Sequence, residues 1–160
     1  MSDTMQVVSF RLGSEEYGVD IAQVQEINRM VSITHVPRAP KFMEGVINLR
    51  GQLIPIIDLR TRFGMPREDH TKNTRIVVTE IGTKRVGMVV DSVSEVLRLD
   101  TAQIEDAPEM ISGVDTEYIR GVGKIDDRLI ILLDLAKIIS AGEKRELETT
   151  DVEAAVPAGA

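Results

Sequence analysis

The feature that most constrains this chain is an internal duplication. Segment 10–27, FRLGSEEYGVDIAQVQEI, lies without gaps over 79–96, TEIGTKRVGMVVDSVSEV, matching Gly13 with Gly82, Gly18 with Gly87, Val24 with Val93 and Glu26 with Glu95. Segment 45–63, GVINLRGQLIPIIDLRTRF, lies over 121–139, GVGKIDDRLIILLDLAKII, with Gly-Val, Leu-Ile and Asp-Leu identical at corresponding positions. The displacements are 69 and 76, so seven extra residues in the later connection account for the difference. One unit therefore occurs twice, at about 7–63 and 75–139, and a chain of 160 residues makes either one domain or two small lobes sharing a core.

Within each unit the pattern is β. VVSFRL, a polar Gly-containing turn and YGVDI read as a hairpin, and RIVVTEIGTKRVGMVV repeats it with Gly82 supplying the positive φ of the turn. INLRGQLIPIIDL turns at Arg50-Gly51 and KIDDRLIILLDL turns at Asp126-Asp127. Asp58 and Asp134 each precede a short run that they can N-cap as a helix. Ile21, Val24 and Ile27 recur at helical spacing, so DIAQVQEINRM is expected to begin as a short helix before the chain extends through VSITHVP. The connections 35–42 and 100–118 carry Pro and polar residues and are expected to be exposed loops. Four hairpins of short strands favour closure into two small five-stranded barrels, because closure removes exposed edges. From Gly142 onward the tail is expected to start as helix and end disordered.

Composition narrows the function. A net charge of −7 opposes attraction to nucleic acid and to anionic membrane surfaces, and an aromatic content of 3% with no Trp gives no stacking platform. No cysteine is present, which excludes disulfides, thiolate metal sites and a Cys nucleophile and fits a reducing compartment. The N-terminus does not read as a signal peptide and no run of apolar residues is long enough to span a bilayer, so the expected location is cytoplasmic. Gly13/Gly18 and Gly82/Gly87 mimic half a phosphate loop, but Val19 and Met88 stand where that loop requires Lys. His35 and His70 have no metal-ligand spacing around them. Asp58 with Asp134 is the one catalytic pair available to a small hydrolase, and helix capping explains both more simply. Asp91 is read as a strand-end residue bonding backbone amides. Arg50 stands apart, as a cation at the tip of a very apolar hairpin beside Gly51, with Asp126 as its repeat partner. No cofactor or metal is expected.

The segments EEYGVDIAQVQEI at 15–27, GVINLRG at 45–51, PIIDLR at 55–60 and VGMVVDSV at 86–93 resemble the CheW chemotaxis coupling proteins, from about Val7 to Ile139 and without clear departure from that pattern. The resemblance implies a CheW-like domain over about 5–141, built as two interlocked SH3-like barrels, followed by the tail. It implies a non-enzymatic adaptor that bridges the cytoplasmic tips of chemoreceptors to the histidine kinase CheA in arrays at the inner face of the membrane, with weak contacts between copies of the adaptor. Carried across, Val24, Glu26, Gly45 and Arg50 fall on coupling-critical positions and Gly87 on a sensitive strand position. Ile27, Asn48 and Gly51 complete the expected protein-binding set, with Ile27 offering apolar area and Arg50 a planar guanidinium for an acidic or carbonyl partner. The alternatives are a coupling protein of another chemosensory pathway, such as surface motility, a carboxylate hydrolase, and a purely structural oligomer subunit.

Overall fold

The computed structural model describes residues 3–38, 43–66, 68–81, 83–106 and 118–138. Gly82, whose φ the sequence singles out, and the tail 142–160 lie outside the described residues. The first repeat supplies β1 (Thr4–Leu12), β2 (Glu15–Asp20), β3 (Val24–Arg29), β4 (Met43–Leu49), β5 (Gln52–Asp58) and the one-turn helix α1 (Leu59–Arg62). The second supplies β6 (Arg75–Ile81), β7 (Lys84–Val90), β8 (Ser92–Asp100), β9 (Ile104–Glu105), β10 (Ile119–Ile125), β11 (Arg128–Leu133) and α2 (Leu135–Ile138).

The strands form two sheets, ordered β8-β1-β2-β11-β10-β9 and β3-β6-β7-β5-β4. The sheets do not coincide with the repeats. Each repeat lends its first hairpin to the sheet completed by the other, so β1–β2 joins β8 to β11 while β6–β7 joins β3 to β5. The register follows the duplication residue by residue. Ile56 pairs with Gly87 in the parallel β5–β7 ladder, and the repeat-equivalent Leu132 pairs with Gly18 in the parallel β11–β2 ladder. A register shift between Val24 and Glu26 on β3 recurs opposite β8, between Ser9 and Phe10, and another between Met43 and Gly45 recurs between Ile119 and Gly121.

This exchange explains why the strands read as near-continuous apolar runs instead of alternating ones. One face of β1 places Val7 in a small core with Leu99, Ile130 and Leu132, while the other places Val8 and Phe10 in a larger core shared by both sheets. Ile47, Ile54, Ile56, Ile76, Val78 and Val89 fill the other sheet's own core. Four of the five aromatic residues lie in one row through the shared core, Phe10–Tyr17–Phe63–Tyr118, with centroid spacings of 6.0, 5.8 and 5.9 Å.

Local chemistry fixes the connections. Asp58 Oδ1 accepts from Arg60 N at 3.0 Å and Asp134 Oδ1 from Ala136 N at 3.1 Å, so both carboxylates cap helices as expected. The helix expected from Ile21 is a single 3₁₀ turn, Ile21–Gln23, capped by Asp20; Val24 already begins β3. The three-residue spacing there comes from that turn followed by a bulge. The two connections are also less loop-like than expected, since Val36 is buried and 101–105 holds a 3₁₀ turn and the short β9.

Candidate functional site

The β4–β5 hairpin ends in two residues with left-handed backbone, Arg50 at φ 51° and Gly51 at φ 85°. Such a turn follows the right-handed twist of the strands, but it is costly for a residue with a Cβ, by about 1–2 kcal/mol. Asn48 offsets part of that cost by accepting from Gly51 N through Oδ1 at 2.9 Å. The turn points the Arg50 side chain back over the sheet, where its Nη2 donates to Glu26 Oε2. β3 and β4 are opposite edges of this sheet, so the ion pair ties its two ends together and marks the curl into a barrel. Glu26 is held from its other oxygen by Asn28 Nδ2 at 2.7 Å. Arg50 and then Asn28 hold the Glu26 carboxyl below the ordinary carboxylate range. Arg50 remains 68% exposed while Glu26 is 27% exposed, so the guanidinium is presented outward on an anchored carboxylate.

The eight residues singled out in the sequence separate into three places. Glu26, Asn48, Arg50 and Gly51 assemble at the hairpin tip. Ile27, 39% exposed, stands on the opposite face of β3 from Glu26, while Val24 is half-buried against the shared core. Gly45 and Gly87 are interior. A Cβ at Gly45 would lie 2.3 Å from the Thr34 carbonyl oxygen, and one at Gly87 would lie 2.5 Å from Ile56 Cδ1, so both glycines permit close packing. Three contributors escaped the sequence reading: Asn28, and the Arg85 guanidinium bonded to Gln52 beside the same tip. The signal for them was the repeat itself, because Gln52 and Arg85 are equivalent to Arg128 and Glu16. In the other lobe Arg128 bonds Glu16 and also Glu95, the residue equivalent to Glu26, at 2.8 Å.

Asp91 is structural, though by a longer reach than local amides. It joins the lobes by accepting from Gly13 N at 2.8 Å and from the buried Arg60 guanidinium at Nε, 2.9 Å away. Burial alone would raise its carboxyl, but Arg60 and the Gly13 amide outweigh burial and leave it below the ordinary value. Among the described residues no group of His, Asp and Glu is arranged to hold a metal ion, and no helix is long and apolar enough to cross a membrane.

Residues 6–143 match the model of the CheW-like domain. The chemotaxis protein CheW of Klebsiella aerogenes is 45% identical over 134 residues, spanning 84% of this chain and 81% of that protein. CheW of Bacillus subtilis is 32% identical over 133 residues, spanning 83% and 85%. The crystal structure of the scaffolding protein TtCheW from Thermoanaerobacter tengcongensis matches with a TM-score of 0.80 at 40% identity, covering 88% of this chain and 91% of that one, and the pair of SH3-like β-barrels is common to both. With hairpins exchanged between two barrels, both candidate catalytic carboxylates engaged as helix caps and relatives along nearly the whole length, this chain belongs to the CheW-like family and is a non-enzymatic coupling adaptor of chemotaxis.

Proposed function

We propose that this adaptor couples the cytoplasmic tips of chemoreceptors to a CheA-type histidine kinase, working in the cytoplasm at the inner face of the membrane. The observation that carries this reading is the Arg50 tip, an exposed guanidinium held in a left-handed turn and latched to Glu26. A residue kept in costly backbone geometry at an exposed position is one whose placement the surrounding structure over-determines, and such positions cluster where partners bind. The latch is also exchangeable. Exposed ion pairs are weak in water, so a partner carboxylate can compete for Arg50, or a partner donor for Glu26, without disturbing the barrel. Ile27 supplies apolar area on the other face of β3, and Val24 supports it from the core side.

The mechanism is linkage. A receptor rearrangement changes kinase activity only as far as the contacts made through the adaptor differ in free energy between the two kinase states, and such couplings are commonly about 1–3 kcal/mol. The test is kinase autophosphorylation in arrays reconstituted from receptor fragment, kinase and adaptor. Arg50→Ala is expected to keep the thermal unfolding profile of the parent and to lose most receptor-dependent stimulation. Full stimulation with the variant would remove Arg50 from the coupling surface, and no binding of the parent to either partner would overturn the reading.

A further inference from the structure

Two arginines flank the Glu26 carboxylate, and only one of them is bonded to it. Glu26 stands opposite Val78 on the β3–β6 ladder, and by alternation Glu80, Arg85 and Gln52 share the face of Val78, Gly87 and Ile54. That face packs the first barrel's own core of Ile54, Ile56, Val78 and Val89, so the four polar side chains lie together at the Arg50 end of that core. Arg50 donates to Glu26, whereas the Arg85 guanidinium donates to the neutral Gln52 Oε1 and forms no ion pair among the described residues. Glu80, its neighbour across the β6–β7 ladder, is taken instead by Gln25 Nε2 at 2.8 Å. A guanidinium on a neutral amide forgoes the stronger charge-assisted bond that a carboxylate offers, so Arg85 is a cation in reserve. Glu26 already feels it: after Arg50 and Asn28, the Arg85 charge helps to hold the carboxyl below its ordinary range.

The second lobe shows how short the reach is. Glu16, Arg128 and Glu95 are the repeat equivalents of Arg85, Gln52 and Glu26. There Arg128 donates through Nε to Glu16 at 3.2 Å and through Nη1 to Glu95 at 2.8 Å, so the middle side chain touches both of its neighbours. Carried back by the repeat, Gln52 stands between Arg85 and Glu26, a gap that a guanidinium spans. The two lobes differ in charge. In the second, one cation holds two carboxylates and Asp126 stands in place of Arg50, which leaves no cation to spare. In the first, two cations face one carboxylate, and the bonded one, Arg50, is 68% exposed and free to leave outward.

We propose that Arg85 is a positioning residue of the Arg50 latch: when a partner carboxylate draws Arg50 away, Arg85 leaves Gln52 and replaces it on Glu26. Without a replacement, the unpaired Glu26 carboxylate would oppose the release of Arg50. Gln52 sets the balance by holding Arg85 off while the latch is closed. The fraction of adaptor whose Arg50 is released scales its apparent affinity, so the two members of the Arg85–Gln52 bond act with opposite sign. This inference rests on the adaptor reading and adds the means by which the tip opens.

The test uses the full chain in two arms. Carbon-13 NMR titration of the Glu26 side chain needs no partner. In Arg50→Ala the Glu26 carboxyl is expected to stay below its ordinary range, because Arg85 takes over, and in Arg50→Ala/Arg85→Gln to return to it. A return in Arg50→Ala alone would overturn the proposal. The second arm measures the adaptor concentration that gives half-maximal receptor-dependent stimulation of CheA in reconstituted arrays. Arg85→Gln is expected to raise that concentration about two- to fivefold, the range of an exposed ion pair, and Gln52→Ala to lower it by about the same factor. Both positions are exposed, so both variants are expected to keep the parent's thermal unfolding profile. Loss of a merely structural bond would move the two variants the same way. Shifts in one direction, or no shift in either variant while Arg50→Ala is impaired, would overturn the proposal and leave the adaptor reading standing. Absence of stimulation by the parent would overturn the adaptor reading, and the Glu26 titration would still decide the exchange between the two arginines.

Discussion

Replacing Gly45 with alanine decides whether that glycine acts through the fold or through a surface. The added methyl would sit 2.3 Å from the Thr34 carbonyl oxygen and 2.7 Å from Ile33 Cγ2. The first contact is with backbone, so no rotamer change relieves it and β4 must part from segment 33–34. Parting breaks the reciprocal bonds Thr34 N to Val46 O at 2.8 Å and Val46 N to Thr34 O at 2.9 Å. Overpacking costs about 1–3 kcal/mol and each of the two backbone bonds lost adds about 1, which gives a destabilisation of about 3–5 kcal/mol. In a chain of this size that lowers Tm by roughly 6–20 °C. Two further glycines calibrate the reasoning. Gly121→Ala, at the repeat-equivalent site, meets Glu105 O and Ile104 Cγ2 both at 2.9 Å and should cost less. Gly51→Ala meets nothing within 4 Å and should cost only the left-handed backbone penalty of about 1 kcal/mol. Urea midpoints should therefore fall most for Gly45→Ala, less for Gly121→Ala and least for Gly51→Ala. A Gly45→Ala protein as stable as the parent but unable to bind receptor or kinase would refute the packing argument and make Gly45 a contact residue.

Four further outcomes follow from the buried and half-buried polar groups. Arg60→Ala leaves the Asp91 carboxylate without its guanidinium and should destabilise by about 1–3 kcal/mol, read from urea unfolding; the figure is below that for a fully buried pair because Asp91 is 32% exposed. Because the Asp91 carboxyl is depressed in the fold, its contribution is complete above the ordinary aspartate value of 3.8 and is lost as pH falls through the lower folded value. Asp91→Asn should accordingly flatten the acid limb of the stability–pH profile below about pH 4 while leaving its shape near neutrality unchanged. Tyr17 is 0% exposed, and its hydroxyl has no hydrogen-bond partner among the described residues. Tyr17→Phe should thus be neutral or stabilising by up to about 1–2 kcal/mol, and loss of more than that would reveal a partner for the hydroxyl. In the parent protein, burial followed by the nearby Glu15 charge pushes the Tyr17 phenol up to about 12, so ultraviolet titration should ionise it only at that extreme or on unfolding.

Much of this architecture is legible because the repeat carries register as well as similarity. The displacements of 69 and 76 read from the sequence are the ones that map Ile56–Gly87 onto Leu132–Gly18 and Val24–Thr79 onto Val93–Phe10. The hairpin tips are legible for a local reason, since Arg50-Gly51 and Asp126-Asp127 carry turn chemistry that needs no tertiary information. The exchange of hairpins is not legible. β2 and β5 are buried on both faces, and an apolar run buried on both faces does not say which strand lies beside it. The site is half legible for the same reason: Arg50 stands out at its turn, but its partner Glu26 is 24 positions away and the two meet only when the sheet curls. Buried Val36, in a Pro-flanked stretch that reads as exposed loop, shows tertiary packing overriding local composition.

The exchanged hairpins also explain how a protein without a reaction transmits a signal. An adaptor passes on only the difference in contact free energy between two states, and any hinge within it lets that difference be absorbed as movement. Here the repeats cannot part without unzipping the long β1–β8 and β3–β6 ladders that run between them, and the lobes cannot part without opening the apolar core they share. The remaining freedom is a slide of one lobe past the other. The Arg60–Asp91–Gly13 bonds oppose that slide at the β7–β8 crossover, while the repeat-equivalent positions of Arg60 and Asp91 are Ala136 and Ala22 and supply no such bonds. Together with Arg62 Nε, which donates to Ile138 O at 2.7 Å between the two helices, this polar clamp holds the otherwise pseudosymmetric lobes in one relative placement, as an adaptor that must not absorb the difference as movement requires.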